Sequence, residues 1–504
     1  MRIVKFFLSL FLGIALVCSC NKNDDVLGDN TNHHESVKDA YLSLSIGLPS
    51  GNVKTRAGGG LTPTPGENGD GHELGEESEN HVESLLVFGF PQHGEGTAFK
   101  EKIDLNGLTD LGKDVNNVHS YKTKEPFQVV AGKYHLYVMV NPTSKMENYS
   151  ETLGEDNLKD QQIKISDIQD QTTSVEIDHF PMSSADEIVE TVITSANTKN
   201  NPAFFTTKVQ RMFAKVLFAA TANENLGSGG TNKAAFAKNF KFVKYGIVNQ
   251  RNTAYWFRRV GQANIDAVIG KKESGTDYVI DPIFDQKEVP YDETFAKNNY
   301  WNREVSTTAE YWHPVSNDAN VKYCFENTMK ETAQLQGYTT GLVLEAQFTP
   351  KDEAVQGTAI TPGETFFKYG DKYYATLEDL KGTLPLAAAL PSIDPDYDGD
   401  GHEAATQALI KEYGKHGVKV FYKGQCFYHY WIRHANNGKP NAMGIMEFAT
   451  VRNNVYKMTV NSVKQPGDPI PPVTPDRPDE DTEVYLDVKV EVLPWVVREN
   501  NMDL

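Results

Sequence analysis

Near the C-terminus, Leu486, Val488, Val490 and Val492 alternate with Asp487, Lys489 and Glu491. A period of two puts the aliphatics on one face of a strand and the charges on the other. Such a strand must add to a sheet, because its amides and carbonyls need partners. It follows Pro466 to Glu483, where six of 18 residues are proline. That composition is extended and semi-rigid at ~3.1 Å per residue, a reach of ~55 Å. The body before it should have a radius of gyration of ~22 Å. The spacer is therefore long enough to carry the strand clear of its own domain.

A second strand of the same design lies near the other end. Leu42, Leu44, Ile46 and Leu48 share one face of Tyr41 to Leu48, and Pro49 and Gly51 end it. Lys54-Thr55-Arg56-Ala57-Gly58-Gly59-Gly60 follows, then Pro63, Pro65, Gly66 and an acidic run to Glu79. This stretch reads as exposed, and Arg56 as a protease target. Either strand could fill the same hydrophobic groove. Cutting after Arg56 would free the first and leave a gap for the C-terminal strand of another copy. Such a contact is heterologous and need not close, so it propagates as a filament. Full burial of four aliphatics is worth ~6–12 kcal/mol as an upper bound, less the lost freedom of association. The alternative is that both strands fold into the parent domain and Arg56 is an ordinary surface residue.

Between these ends the chain reads as many strands and few helices. Strands are expected at Ser84 to Phe90, Phe127 to Val130, Tyr134 to Val140, Lys208 to Phe218, Phe242 to Val248, Gly341 to Phe348, Val418 to Tyr422, Phe427 to Ile432 and Asn454 to Val463. Thr376 to Leu380 and Ala404 to Tyr413 are the expected helices, both short. The pattern predicts antiparallel sandwiches, not a doubly wound α/β sheet.

Arg2 and Lys5 precede an apolar run from Phe6 to Val17, too short to span a bilayer. It ends in Leu16-Val17-Cys18-Ser19-Cys20, the form of a bacterial lipobox with Cys20 as the acylated residue. Several acyl chains on one cysteine anchor a protein where a single chain binds only marginally. Asn21 to Asp39 reads as a flexible tether. With no other apolar run of membrane length, a polytopic membrane protein is excluded. A net charge of −19 offers no phosphate-binding face, so no nucleic-acid partner is expected. Four cysteines are too few for a disulfide framework. Cys324 and Cys426, the only thiols after the leader, are open to pairing or to burial as free thiols.

Catalytic chemistry is not expected. Asp394, Asp396, Asp398 and Asp400 begin like an EF-hand loop with Gly399 at position six, but position twelve is Ala405. A solvated acidic turn is the expectation over a Ca²⁺ site. His402-Glu403 lacks a zinc helix's second histidine, and neither a nucleophile elbow nor a phosphate-binding loop is present. His429 and His434 read as sheet-surface residues. Tyr255, Trp256, Phe257, Tyr300 and Trp301 could form a carbohydrate platform, though packing is the default for such clusters.

The lipobox, the Lys-Thr-Arg-Ala-Gly site, Lys208 to Phe218, Tyr323-Cys324-Phe325-Glu326-Asn327-Thr328 and Val490-Glu491-Val492-Leu493-Pro494-Trp495 together resemble Bacteroidales fimbrilins, the type V pilus subunits. The resemblance points most to the Mfa-type major subunit of the short (minor) fimbriae of Porphyromonas. It implies two transthyretin-like antiparallel β-sandwich domains, mainly all-β, with a C-terminal donor strand. It implies a lipoprotein precursor carried to the outer membrane and cut by a trypsin-like, Arg-specific protease at Arg56–Ala57. It further implies a homopolymer with anchor and tip subunits, displayed as a cell-surface fimbrium for adhesion to host or bacterial receptors, biofilm formation and virulence. The implied layout is a signal peptide (1–20), a propeptide (21–56) with pro-strand 41–48, sandwich domains at 57–202 and 203–465, a linker at 466–483 and a tail at 484–504. Leu486, Val488, Val490, Val492 and Trp495 would be the donor residues. Neither enzyme activity nor a cofactor is expected. The Asp394 to Gly401 loop and the length of Gly58 to Asn80 depart from the family. The alternatives are a monomeric surface lipoprotein that binds glycans or host protein, and a tip or accessory subunit.

Overall fold

A computed structural model describes residues 39–48, 73–113, 118–168, 179–185, 188–219, 234–262, 265–269, 277–287, 289–301, 312–315, 320–383, 390–392, 404–435, 439, 442–471, 475–481 and 486–497. Lys38–Leu504 forms one compact unit by contacts. The fold is mostly β with several sheets, as the strand-rich pattern predicts.

The largest sheet has ten strands. Along its main path run Phe99–Asp104, Ser84–Pro91, Gly132–Val140, Met182–Ser184, Ala203–Arg211, Ala40–Gly47, His119–Thr123 and Leu108–Lys113. Glu190–Ile193 and Phe127–Val129 pair off this path. Residues of these strands, among them Leu44, Ile46, Val87 and Val138, meet in one core.

A five-stranded sheet runs Glu73–Gly75, Leu486–Val497, Asn454–Val463, Phe213–Ala219 and Asn320–Phe325. A four-stranded sheet runs His313–Pro314, Ala237–Val248, Gly341–Pro350 and Gln425–Trp431. Val216 and Met458 from the first share a core with Phe240, Leu344 and Tyr428 from the second, which is the packing of two sheets face to face. A smaller sheet containing Phe366–Tyr369 and Val418–Phe421 lies beside the helices Leu377–Thr383 and Ala404–Gly414. Leu380, Ile410 and Tyr413 close that core.

The expected single strand Lys208 to Phe218 is two strands. Ala203–Arg211 belongs to the ten-stranded sheet and Phe213–Ala219 to the five-stranded one. Met212 is the crossing, and its N–H donates to Pro181 O at 3.1 Å. The change of sheet therefore falls at Met212.

Candidate assembly site

Ala40–Gly47 is an interior strand. It runs parallel to Ala203–Arg211, with Leu42 opposite Ala203 and Ile46 opposite Thr207. Its other edge pairs antiparallel with Phe127–Val129 and His119–Thr123. A parallel pair needs a long crossover, and here most of the first half of the chain supplies it. Leu42, Leu44, Ile46 and Leu48 are each 1 % exposed or less. On the opposite face, Ser43 Oγ lies 2.9 Å from Thr123 Oγ1. The Leu44 N–H donates to the same Thr123 oxygen at 3.1 Å. Withdrawal of this one strand would open two rows of backbone hydrogen-bonding groups and an apolar trough between them.

Leu486–Val497 is not free. It pairs antiparallel with Asn454–Val463 from Leu486 to Pro494, and parallel with Glu73–Gly75 from Trp495 to Val497. Leu486 is buried in the second core, and the half-buried Val488 packs against it. Val490, Val492 and Trp495 are placed by backbone register, and their side chains lie outside the described ones. In this structure the tail strand completes its own molecule's sheet.

The proline-rich segment is also docked where it is described, which corrects the expectation of a free spacer. Asp468 and Phe427 exchange backbone hydrogen bonds at 2.7 and 2.9 Å. Pro475 O accepts from Gly337 N at 3.0 Å, and Arg477 O accepts from Gln336 N at 2.9 Å. Gly337 permits this approach, since a Cβ there would meet Tyr291 at 2.3 Å and Pro475 at 2.8 Å. Arg433 Nη2 bonds Glu480 Oε1 at 2.7 Å. Asp479 is buried and accepts from the Thr339 hydroxyl, and burial raises its carboxyl to about 8 against that bond. Proline content set the expectation of stiffness. The backbone carbonyls of Asp468, Pro475 and Arg477 are what the body captures.

The acidic run was expected to stay exposed up to Glu79. Instead, Glu79 is fully buried in the short helix Glu77–Asn80. Its carboxylate lies 2.8 Å from the buried Lys215 Nζ and accepts from the Tyr323 hydroxyl. Burial would raise the Glu79 carboxyl, but Lys215 and these hydrogen bonds hold it below its usual value. Arg211 donates from Nε to Glu79 O at 2.9 Å, from Nη2 to Asn80 Oδ1, and from Nη1 to Asn453 Oδ1 at 3.2 Å. The one sequence signal for this helix is Glu76 three residues before Glu79, which together make a capping box. A second buried pair, Arg452 with Glu326, has Nε and Nη2 donating at 2.7 and 2.6 Å. Sequence reasoning missed both pairs.

The aromatic cluster takes the packing that was its default reading. Trp256 and Phe257 are each 1 % exposed, Tyr255 and Tyr300 are buried, and Tyr149 and Tyr137 pack on them edge to face. His434 is a buried residue bonded through Nδ1 to the Tyr456 hydroxyl at 2.8 Å, not a surface one. Burial lowers His429 to about 4, with Arg477 adding to the effect. Cys324 and Cys426 are free and buried, and burial pushes each thiol up to about 12. Cys20, Arg56, Ala57, Asp394, Asp396, Asp398 and Asp400 lie outside the described residues. Among the described residues, no helix is long and apolar enough to cross a membrane.

No curated protein sequence matches the chain. Among solved structures, a candidate cell adhesion protein from Parabacteroides distasonis ATCC 8503 is 14 % identical, with a TM-score of 0.44 over 92 % of this chain and 99 % of that one. One from Bacteroides eggerthii DSM 20697 is 12 % identical, at 0.40 over 92 % and 98 %. The tip fimbrial protein Mfa3 from Porphyromonas gingivalis, with C-terminal truncation, is 11 % identical, at 0.36 over 90 % and 100 %. Residues 419–501 match the family model of the major fimbrial subunit protein type IV, fimbrillin, C-terminal. That span holds Gln425–Trp431, Asn454–Val463 and the tail strand Leu486–Val497. Residues 419–501 of this chain are thus similar to the C-terminal region of fimbrillins, and the fimbrilin resemblance read from the sequence is met there.

Proposed function

We propose that this protein is a stalk subunit of a bacterial surface fimbria that polymerises by strand exchange. The precursor is exported, acylated on Cys20 and held at the outer membrane. A trypsin-like, Arg-specific protease cuts after Arg56 and releases Ala40–Gly47 from the ten-stranded sheet. The tail strand of a second copy, led by Leu486, Val488, Val490 and Val492, then enters the vacated groove. The polymer joins anchor and tip subunits and serves adhesion and biofilm formation. Its role is structural and needs no catalytic centre.

The observation that carries this reading is the place of Ala40–Gly47. This strand, hydrogen-bonded on both edges, buries Leu42, Leu44 and Ile46, with the buried Leu48 just past its end, and it lies N-terminal to the Arg56 site. A strand with the same spacing of aliphatics ends the chain. The docked tail fits an uncleaved resting state, in which each strand of the exchange is still satisfied within its own molecule. Four of the five aromatics read as a glycan platform, Tyr255, Trp256, Phe257 and Tyr300, are buried, which supports the stalk reading over a glycan-binding monomer.

The test is cleavage of purified precursor with a trypsin-like protease, followed by N-terminal sequencing and electron microscopy. A new end at Ala57 together with filaments supports the reading, as does the loss of filaments when residues 484–504 are deleted. Filaments from the tail-deleted protein would sink it.

A further inference from the structure

We propose that His81, Glu83 and His179 form a binding site for a divalent transition-metal ion of the zinc class. One ligand atom from each lies within 4.8 Å of the other two. His179 Nε2 is 3.5 Å from Glu83 Oε1. The two imidazole centroids are 4.9 Å apart, with their planes tilted by 50°. A tetrahedral zinc with bonds of ~2.1 Å sets neighbouring donors ~3.4 Å apart. The His179–Glu83 edge already has that spacing, and the His81 ring closes the triangle by a side-chain movement alone.

The backbone beneath the cluster is fixed by one side chain. Asn141 sits buried at φ +50° just past the strand Gly132–Val140. Its Oδ1 accepts from the Glu83 N–H at 2.8 Å. Its Nδ2 donates to His81 O at 2.7 Å and to Phe180 O at 3.1 Å. The same amide therefore holds His81, Glu83 and the residue next to His179. Phe180 is anchored in turn by edge contacts with Phe213 and Tyr323. On the other side, Asn80 ties its helix back to Gly75 O at 3.0 Å. A rigid frame under accessible ligands is what a metal site requires.

The donor set selects the ion. Two imidazoles and one carboxylate suit zinc, cobalt or nickel, whereas calcium and magnesium take oxygen ligands. Three protein ligands leave a position for water, so the site is open, not a closed structural one. It faces a surface cavity of about 740 Å³ that also presents Asp104, Glu147 and Asp167. Lys102 lines the same cavity and pairs with Glu147 at 2.9 Å and with Asp104 at 3.7 Å, so the approach sets three carboxylates against one ammonium and keeps a net negative charge toward a cation. A bound ion would clip the segment before Ser84–Pro91 to the segment entering Met182–Ser184, and would stabilise the fold by mass action.

The test uses the full chain, free of any affinity tag and stripped with chelator. Zinc chloride is titrated by calorimetry and cobalt chloride by visible absorption. The wild type should bind one more equivalent than the His81→Ala/His179→Ala variant, and only the wild type should show the ligand-field bands of low-coordinate cobalt. Glu83→Gln should weaken affinity by ~10-fold or more, at least the loss that outer-shell changes cause. All three residues are surface-accessible, so circular dichroism should show unchanged folding in each variant. Equal stoichiometry in wild type and double variant, or no binding by the wild type at millimolar zinc, would overturn the assignment.

Discussion

Val488 of the tail strand lies opposite Val460 of Asn454–Val463, within the same molecule. The strand proposed to serve a neighbour is therefore satisfied at home until it leaves. Cross-strand positions are ~4.5–5.5 Å apart between Cβ atoms, close enough for a disulfide after small adjustment. Val460→Cys/Val488→Cys, once oxidised, should hold the tail in place. Cleaved protein should then stay monomeric by size-exclusion chromatography and polymerise on addition of reductant. Cys324 and Cys426 compete poorly in the oxidation, since burial raises both thiols to about 12. Polymers formed under oxidising conditions would mean that the tail need not detach.

Leu44 should control how fast the groove empties. It is 0 % exposed and packs in the main core of the ten-stranded sheet. Leu44→Ala removes ~2–5 kcal/mol of burial and packing. The cleaved N-terminal peptide, which carries Leu44, should dissociate roughly 30-fold faster or more. The lag before polymerisation should shorten accordingly, as followed by light scattering after protease addition. An unchanged lag would show that another step opens the groove.

How much of this was legible in the sequence depends on whether a residue's role is local. Leu42, Leu44, Ile46 and Leu48 announced a buried strand because alternation is a property of neighbours, and the strand is buried as read. Helices were also legible at Thr376 to Leu380 and Ala404 to Tyr413, where the structure has Leu377–Thr383 and Ala404–Gly414. Glu79 was not, because its partners Lys215 and Tyr323 are distant in sequence and its neighbours are acidic. Met212 hides a change of sheet inside a run of β-formers, where composition carries no mark. The proline-rich segment misled in a similar way: stiffness was readable, but capture of its carbonyls by Gln336 and Gly337 was not. His81 and His179 are far apart in sequence, and the Asn141 amide that bonds the backbone at His81 and at Phe180 leaves no local mark.

The Glu79–Lys215 pair yields a stability cycle. Both side chains are buried, at 0 % and 4 % exposure, with N and O 2.8 Å apart. Lys215→Met strands the carboxylate without its cation and should cost ~3–5 kcal/mol. Glu79→Gln should cost a similar amount. The double variant should cost less than the sum, because neither charge is then left alone. Urea denaturation of the four proteins measures the coupling. Simple additivity would mean that Arg211 and Tyr323 already compensate the charge.

Asp479 should make docking of the proline-rich segment depend on pH. Burial raises its carboxyl to about 8, with the Thr339 hydroxyl opposing, whereas an exposed aspartate lies near ~3.9. Between those values the docked segment holds a proton that the undocked one lacks. Docking is therefore at full strength below the exposed value and weakens as pH rises through the folded one. Amide exchange at Gln336, Gly337 and Asp479, whose N–H groups donate to Arg477 O, Pro475 O and Gln334 O, should be more protected at pH 5 than at pH 8 once corrected for intrinsic rates. Asp479→Asn keeps the shape of the neutral form and should flatten that difference. Because this segment leads directly into the tail strand, cleaved wild-type protein should also polymerise faster at the alkaline end, and Asp479→Asn should lose that acceleration. Equal protection at the two pH values in the wild type would show that Asp479 stays charged where it is buried.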